Sequence, residues 1–182
     1  QELVDVEGKT VRNGGTYYLV PQLRPGGGGM EAAKVGNEDC PLTVVKSLDE
    51  NSNGEPIRIA SRLRSTFIPE YSLVNLGFAD PPKCAPSPFW TVVKDQSERL
   101  PSIKLGEYKD SELDYPFKFE RVYAASKMYA YKLLYCGSED EEEEMMCKDI
   151  GVYRDQEGYQ RLVVSKHNPL VVGFKKAESS TT

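Results

Sequence analysis

Short runs of alternating or β-branched residues, each bounded by Gly, Pro or Asn, most strongly constrain how this 182-residue chain can fold. Such runs of roughly four to eight residues at regular spacing, with turn signals between them, are typical of an all-β sandwich or barrel. Helix signals are weak throughout. We therefore predict an all-β fold of about ten strands. Their segments are TYYLVP, PLTVVKS, PIRIAS, FWTVVKD, SIKLGE, FKFERV, YKLLYC, IGVYRD, QRLVVSK and LVVGFKK.

One supersecondary unit recurs along the chain. Thr43 to Ser61 and Thr91 to Glu107 both run from a Thr-Val-Val-Lys strand through a polar turn to an Ile-basic-aliphatic strand. Ile150 to Lys166 is a looser third copy. Copies roughly 50 residues apart indicate repetition of one unit, although a coincidence of common strand words is the alternative. Because the chain is too short for a propeller, three units of about four strands predict a threefold barrel with a cap.

Length and charge narrow the class of protein. We expect residues 1–182 to form a single domain, since domains typically hold roughly 100–200 residues. The net charge of −5 disfavours nucleic acid or an anionic membrane as a partner. No apolar run approaches the roughly 18 residues of a membrane span, and the opening QELVDVEG is typical of a mature N-terminus after processing.

The four cysteines indicate disulfides rather than a metal site. Cys40, Cys84, Cys136 and Cys147 contain no Cys-x-x-Cys pair, and the chain has one histidine, His167. Structural zinc needs four Cys or His ligands at short spacings, so we expect neither a metal nor a cofactor. Two disulfides in an oxidising compartment are the better interpretation. Three pairings are open, of which Cys136 with Cys147 would close a short loop.

The acidic run SEDEEEE, residues 138–144, lies between the last two cysteines. A run of like charges repels itself and stays solvated. Steering of a cationic partner or loose calcium binding is the alternative, but the run lacks the spaced Asp, Asn and Gly ligands of a calcium loop. We therefore interpret it as a solvated loop.

No group of residues predicts an enzyme. A serine triad needs a histidine base oriented by a carboxylate, and His167 in SKHNPL is interpreted as a turn residue. The segment PGGGGM lacks the lysine and the strand-to-helix context of a phosphate-binding loop. Carboxylates are plentiful, but nothing in the sequence selects a glycosidase pair. We expect no catalytic residues.

Together the motifs resemble the Kunitz-type trypsin inhibitors of legume seeds, from about Leu3 to Lys176. The resemblance implies a β-trefoil, with twelve strands in a pseudo-threefold barrel and a hairpin cap. It also implies the disulfides Cys40–Cys84 and Cys136–Cys147. The motifs that carry it are NGGTYYLVP, GNEDCPLTVVKS, GEPIRI, SRLRSTFIP, KCAPSPFWTVV, YPFKFERV, YKLLYC and IGVYRDQEGYQRLVVS with NPLVV.

The resemblance implies a reactive site at Arg64 and Ser65, which flank the scissile bond on an exposed loop between two strands of the first repeat. Asn13 matches the asparagine whose side chain supports that loop from beneath. From the residues alone, PIRIASRLR would be one strand with an exposed basic face, and Asn13 would be a turn residue. The loop flanks implied by the resemblance are Ser61, Arg62, Leu63, Thr66, Phe67 and Ile68.

The implied function is reversible, substrate-like inhibition of a trypsin-like serine protease at one-to-one stoichiometry, with weaker chymotrypsin binding left open. We expect a monomer that is secreted or held in the seed storage vacuole. The alternative is a storage or defence albumin that uses the same fold without inhibition. A carbohydrate-binding trefoil is a weaker alternative, because it would need aromatic sites in all three units and the chain has a single tryptophan, Trp90.

Overall fold

The computed structural model describes residues 1–22, 26–94, 98–106, 115–123, 129–137 and 146–178. Twelve β-strands lie within these ranges, and all ten predicted segments contain one of them. The strands are β1 (Thr16–Pro21), β2 (Met30–Ala33), β3 (Thr43–Lys46), β4 (Ile57–Ser61), β5 (Val74–Phe78), β6 (Trp90–Val93), β7 (Ser102–Leu105), β8 (Phe117–Val122), β9 (Ala130–Tyr135), β10 (Lys148–Arg154), β11 (Gln160–Val164) and β12 (Val171–Lys176).

Six strands close into an antiparallel barrel. Around the ring, β1 pairs with β4, β4 with β5, β5 with β8, β8 with β9, β9 with β12, and β12 with β1. The other six form three hairpins, β2–β3, β6–β7 and β10–β11, joined through pairings among β3, β7 and β11. Three units, β1–β4, β5–β8 and β9–β12, therefore repeat one pattern, and the predicted β-trefoil is confirmed.

The threefold repeat is present, but the first of the three predicted copies was wrong by one strand. The predicted second and third copies coincide with the equivalent hairpins β6–β7 and β10–β11. The first copy instead combines β3 with β4, so its Thr-Val-Val-Lys strand is equivalent to β7 and not to β6. The strands β3 and β6 have similar sequences because both are partly buried and such strands favour β-branched residues.

Aromatic side chains fill the barrel. Phe174 lies at the centre, with ring centroids 4.8 Å from Phe119, 5.4 Å from Tyr131 and 6.1 Å from Tyr17. All four side chains are buried. Buried and exposed positions alternate along β4, where Ile57 and Ile59 are buried and the residue between them is exposed. The barrel interior is therefore filled by side chains.

A network of charged side chains joins the three units on the cap. Lys104 of β7 lies 3.5 Å from both Glu38, before β3, and Glu98, before β7. Arg161 of β11 in turn lies 2.8 Å from Glu98 and 3.0 Å from Asp155. Each unit thus contributes at least one charge to a single chain of ion pairs, hereafter the cap network.

The cysteines form two disulfides, Cys40–Cys84 and Cys136–Cys147. The first joins unit one to unit two, and the second connects the segments after β9 and before β10. Two disulfides fit an oxidising compartment outside the cytosol. The acidic run at 138–144 lies outside the described residues. Across the described ranges, the structure contains no helix of the length and apolar character that crossing a membrane would require.

Candidate reactive-site loop

The segment between β4 and β5, residues 62–73, carries the predicted reactive site. It joins the last strand of unit one to the first strand of unit two, so the expectation of a loop within the first repeat is corrected. The strand ends at Ser61, and Arg62 and Arg64 therefore do not continue a basic strand face. Residues 62–66 are all exposed, and they lie between the buried side chains of Ser61 and Ile68. Five exposed residues are thus anchored at both ends.

Asn13 reaches this loop because of the turn that precedes β1. Gly14 adopts φ +80, a conformation that favours glycine. A Cβ at Gly15 would lie 3.0 Å from the Arg12 carbonyl oxygen, so this position also favours glycine. The Gly14 amide donates to the Ile59 carbonyl at 2.7 Å, and the Ile59 amide donates to Gly15 at 3.0 Å. The turn is therefore attached to β4, with Asn13 beside the start of the loop.

The Asn13 side chain binds the loop backbone on both sides of Arg64. Its Oδ1 accepts from the Ser61 amide at 2.8 Å. Its Nδ2 donates to the carbonyl oxygens of Leu63 at 2.9 Å and Ser65 at 3.1 Å, with that of Ser61 at 3.4 Å. One amide therefore connects the backbone before Arg64 to the backbone after the Arg64–Ser65 bond, since a primary amide both donates and accepts.

The N-terminal segment holds the far side of the loop. The backbone amide of Asn13 donates to the Thr66 carbonyl at 2.8 Å, and Arg12 forms a β-bridge with Phe67. The Leu3 amide donates to the Ile68 carbonyl at 2.8 Å. Residues 66–68 are thus fixed by chain that lies more than 50 positions earlier in the sequence.

Two serines and one tyrosine complete the local contacts. Ser61 Oγ accepts from the Leu63 amide at 3.2 Å, and Ser65 Oγ accepts from the Phe67 amide at 3.4 Å. The guanidinium of Arg62 lies over the ring of Tyr115, 5.0 Å from its centroid. The serine side chains support an extended backbone, whereas the tyrosine contacts the loop from the second unit.

Arg64 differs from Arg62, the other arginine of the loop, in having no aromatic ring against its guanidinium among the described residues. It is exposed, and among the residues that the structure describes its guanidinium has no ion pair, hydrogen bond or ring contact. The arrangement presents one unengaged cationic side chain on a backbone that is fixed before and after it.

The structure brings Asn13 into contact with Ser61, Leu63, Ser65 and Thr66. The four cysteines lie elsewhere in the sequence and do not bracket the loop closely. Tyr115 and the N-terminal contacts were not predicted. Nothing local in the sequence signals Tyr115, because its contact with Arg62 crosses from one unit to another. The β-bridge of Arg12 with Phe67 likewise depends on tertiary structure.

Comparison with known proteins places the chain in one family. A legume Kunitz family model, described as trypsin and protease inhibitor, matches residues 3–176. Trypsin inhibitor 1A of Psophocarpus tetragonolobus is 61% identical over 180 residues, covering 99% of this chain and 100% of that protein. A chymotrypsin inhibitor of Erythrina variegata is 54% identical over 181 residues, covering 98% of each chain.

A solved complex of porcine pancreatic trypsin with soybean trypsin inhibitor gives the same result for the fold. Its TM-score to this chain is 0.81 at 38% identity, and the match covers 98% of this chain and 100% of that one. The family model, the full-length relatives and the shared fold agree, and the chain therefore belongs to the legume Kunitz family of trypsin and protease inhibitors.

Proposed function

We propose that this protein inhibits trypsin-like serine proteases at one-to-one stoichiometry by binding them as a substrate would, with Arg64 in the specificity pocket and Arg64–Ser65 at the catalytic serine. The observation that carries the proposal is the Asn13 side-chain amide, which donates to the carbonyl oxygens of Leu63 and Ser65. Between them, Arg64 has no hydrogen bond, ion pair or ring contact with any residue that the structure describes.

Arg64 supplies the charge that such an enzyme recognises. Trypsin has an aspartate at the base of its specificity pocket, which pairs with a long cationic side chain. An arginine buried in such a pocket is a typical binding hot spot, and its truncation costs roughly 2 kcal/mol or more. Because the Arg64 side chain has no hydrogen bond, ion pair or ring contact among the described residues, it need not break one to enter the pocket.

The fixed backbone accounts for inhibition rather than digestion. A loop already extended before docking loses little conformational entropy on binding, which favours tight association. After acylation, contacts of Thr66, Phe67 and Ile68 with the N-terminal segment keep the new amine at Ser65 in place. An amine held at the acyl-enzyme has a high effective concentration, so re-formation of the bond competes with hydrolysis.

The similar proteins support the enzyme class but do not decide the specificity alone. One relative is named a trypsin inhibitor and another a chymotrypsin inhibitor, at 61% and 54% identity. The residue at position 64 separates the two possibilities, because an arginine suits the trypsin pocket and not an apolar one. We accordingly propose trypsin-like enzymes as the main target, with chymotrypsin bound more weakly.

The experiment is titration of active-site-quantified trypsin and chymotrypsin with the wild-type protein and two arginine variants. We expect wild type to abolish trypsin activity at one equivalent and Arg64→Ala to lose this effect. Arg154→Ala removes an exposed arginine of β10 and should behave as wild type. Full trypsin activity at micromolar wild-type protein would contradict the proposal and favour the non-inhibitory albumin. Unchanged inhibition by Arg64→Ala would place the reactive bond elsewhere.

The proposal extends to organisation and location. We propose one domain over residues 1–182 that acts as a monomer and resides outside the cell or in the seed storage vacuole, where the two disulfides persist. Carbohydrate binding gains no support, because Trp90 is 1% exposed and belongs to the core. Fractionation of the source tissue with antibody detection would test the location.

A further inference from the structure

The exposed loop contains two bonds that trypsin could cut. Arg62–Leu63 and Arg64–Ser65 both follow an arginine, neither precedes a proline, and all four residues are exposed. A protease could therefore bind at either arginine, and the backbone around the two bonds is not equally well supported. The contacts of the two arginines and of their backbone differ.

Asn13 only partly makes that choice. Its Nδ2 donates to Leu63 and Ser65, which flank Arg64, at 2.9 and 3.1 Å. The same nitrogen lies 3.4 Å from the carbonyl oxygen of Ser61, so a weaker set of contacts also flanks Arg62. The backbone network therefore prefers Arg64 without making Arg62 unusable.

The side chains of the two arginines differ more sharply. The guanidinium of Arg62 lies 5.0 Å from the centroid of the Tyr115 ring, within the roughly 6 Å over which a cation is attracted to an aromatic face. Tyr115 is half-buried and immediately precedes Pro116 and β8, so its position is set by the second unit. Arg64 has no comparable contact among the described residues.

We infer that Tyr115 determines the specificity of the reactive loop, by holding Arg62 against its ring so that Arg64 alone is free to enter a protease pocket. This inference rests on the proposed function. Tyr115 is a positioning residue, since it acts through Arg62 and not on the scissile bond. Alternate side chains of an extended segment project to the same side. By holding Arg62 against its ring, Tyr115 therefore also keeps the charge of Arg62 away from that of Arg64, two residues further along the chain.

The strength of the contact sets the size of the effect. At an exposed site a cation–π contact changes a population by about two- to fivefold. We expect Tyr115→Ala to raise the share of Arg62–Leu63 cleavage among the trypsin products by that factor, while the inhibition constant changes little because Arg64 still enters the pocket. Tyr115→Phe keeps the aromatic face and should restore wild-type values.

The decisive experiment uses the Arg64→Ala variant, in which Arg62 is the one arginine left in the loop for trypsin to cleave after. Trypsin cleavage at Arg62–Leu63 is followed by mass spectrometry in Arg64→Ala and in Arg64→Ala/Tyr115→Ala. We expect cleavage about two- to fivefold faster in the double variant. Cleavage at Arg154–Asp155 in the same sample serves as an internal control, since general destabilisation would accelerate both bonds. Tyr123→Ala, which removes an exposed tyrosine whose ring lies 5.4 Å from the Arg121 guanidinium, is the matched control variant.

The outcomes separate the two proposals. Equal Arg62–Leu63 cleavage rates with and without Tyr115 would overturn this inference whether or not wild type inhibits trypsin. Equal acceleration of the Arg154–Asp155 bond would likewise assign Tyr115 a merely structural role. Loss of inhibition by wild type in the direct titration would overturn the proposed function, while the Arg64→Ala comparison still reports on Tyr115.

Discussion

At the residue scale, the side chain of Asn13 by itself hydrogen-bonds the backbone of the proposed reactive loop at Ser61, Leu63 and Ser65. We expect Asn13→Ala to raise the inhibition constant for trypsin by about 10- to 100-fold, because several hydrogen bonds of roughly 1 kcal/mol each are lost. Cleavage of Arg64–Ser65 should accelerate at the same time, since the new amine is held less firmly. Progress curves and mass spectrometry of the products would measure both effects.

Asn13→Asp is the matched control for this prediction. Aspartate keeps the acceptor for the Ser61 amide but replaces the donor to Leu63 and Ser65 with a second oxygen. It should therefore inhibit no better than Asn13→Ala. Inhibition at the wild-type level by Asn13→Asp would contradict a bracing role for the amide nitrogen.

Arg64 should decide which class of protease is bound. Arg64→Leu is expected to lose trypsin inhibition and gain chymotrypsin inhibition, because the backbone geometry remains while the side chain becomes apolar. Arg64→Lys should keep trypsin inhibition, since it keeps the long cationic side chain. Paired titrations with both enzymes test this, and an Arg64→Leu variant that inhibits neither would show that position 64 does not act alone.

The candidate site was predictable in part at this scale. The family resemblance, and not the local pattern, identified Arg64 and Asn13, since an asparagine before two glycines is ordinarily a turn residue. Asn13 does lie in a turn, and its loop contacts appear only once β1 and β4 pair. Tyr115 could not be predicted, because its partner Arg62 lies 53 positions away in the sequence.

At the element scale, the cap network links the hairpins of all three units, and Glu98 connects Lys104 to Arg161 within it. Burial acts to raise the pKa of Glu98, but the hydrogen bond from Arg161 and the charges of Lys104 and Arg161 outweigh it, so the pKa lies below its ordinary value. A depressed carboxyl pKa adds stability above the unfolded-state pKa of about 4.3, and that stability is lost as pH falls through the lower folded-state pKa.

We expect Glu98→Gln to lower the free energy of unfolding by about 2 kcal/mol at pH 7, since a charged hydrogen bond and two ion pairs are weakened. The difference from wild type should shrink as pH falls below about 4. Urea unfolding at several pH values would measure it. Glu157→Gln, which alters an exposed carboxylate on the β10–β11 turn, is the control and should change stability little. A constant difference across pH would contradict the assignment.

Ten of the twelve strands were predictable from their composition, and the two exceptions have physical reasons. The strand β2 has the sequence MEAA, in which alanine and glutamate favour helix over strand, and pairing with β3 overrides that preference. The strand β5, VNLGF, carries Asn75 and Gly77 in a fully buried segment. Glycine is needed there because a Cβ would lie 3.0 Å from the Pro88 carbonyl oxygen.

At the scale of the whole molecule, cutting the proposed reactive bond, Arg64–Ser65, should not release a fragment. The Cys40–Cys84 disulfide connects residues 1–64 to residues 65–182, and the contact of Leu3 with Ile68 crosses the same cut. We expect protein nicked at Arg64–Ser65 to migrate as one species without reductant and as two with it. The circular dichroism spectrum of the nicked protein should remain close to that of the intact protein. Separation of the fragments without reductant would contradict the pairing.

The burial pattern of the loop has a consequence for protein engineering. Residues 62–66 are exposed, whereas Ser61 and Ile68 on either side are buried and bound to the remainder of the fold. Side chains at these five consecutive positions can therefore be exchanged without repacking the interior. The loop sequence can be varied while the rest of the fold stays the same. A combinatorial library confined to those five positions should yield binders of proteases with quite different pockets from one parental fold.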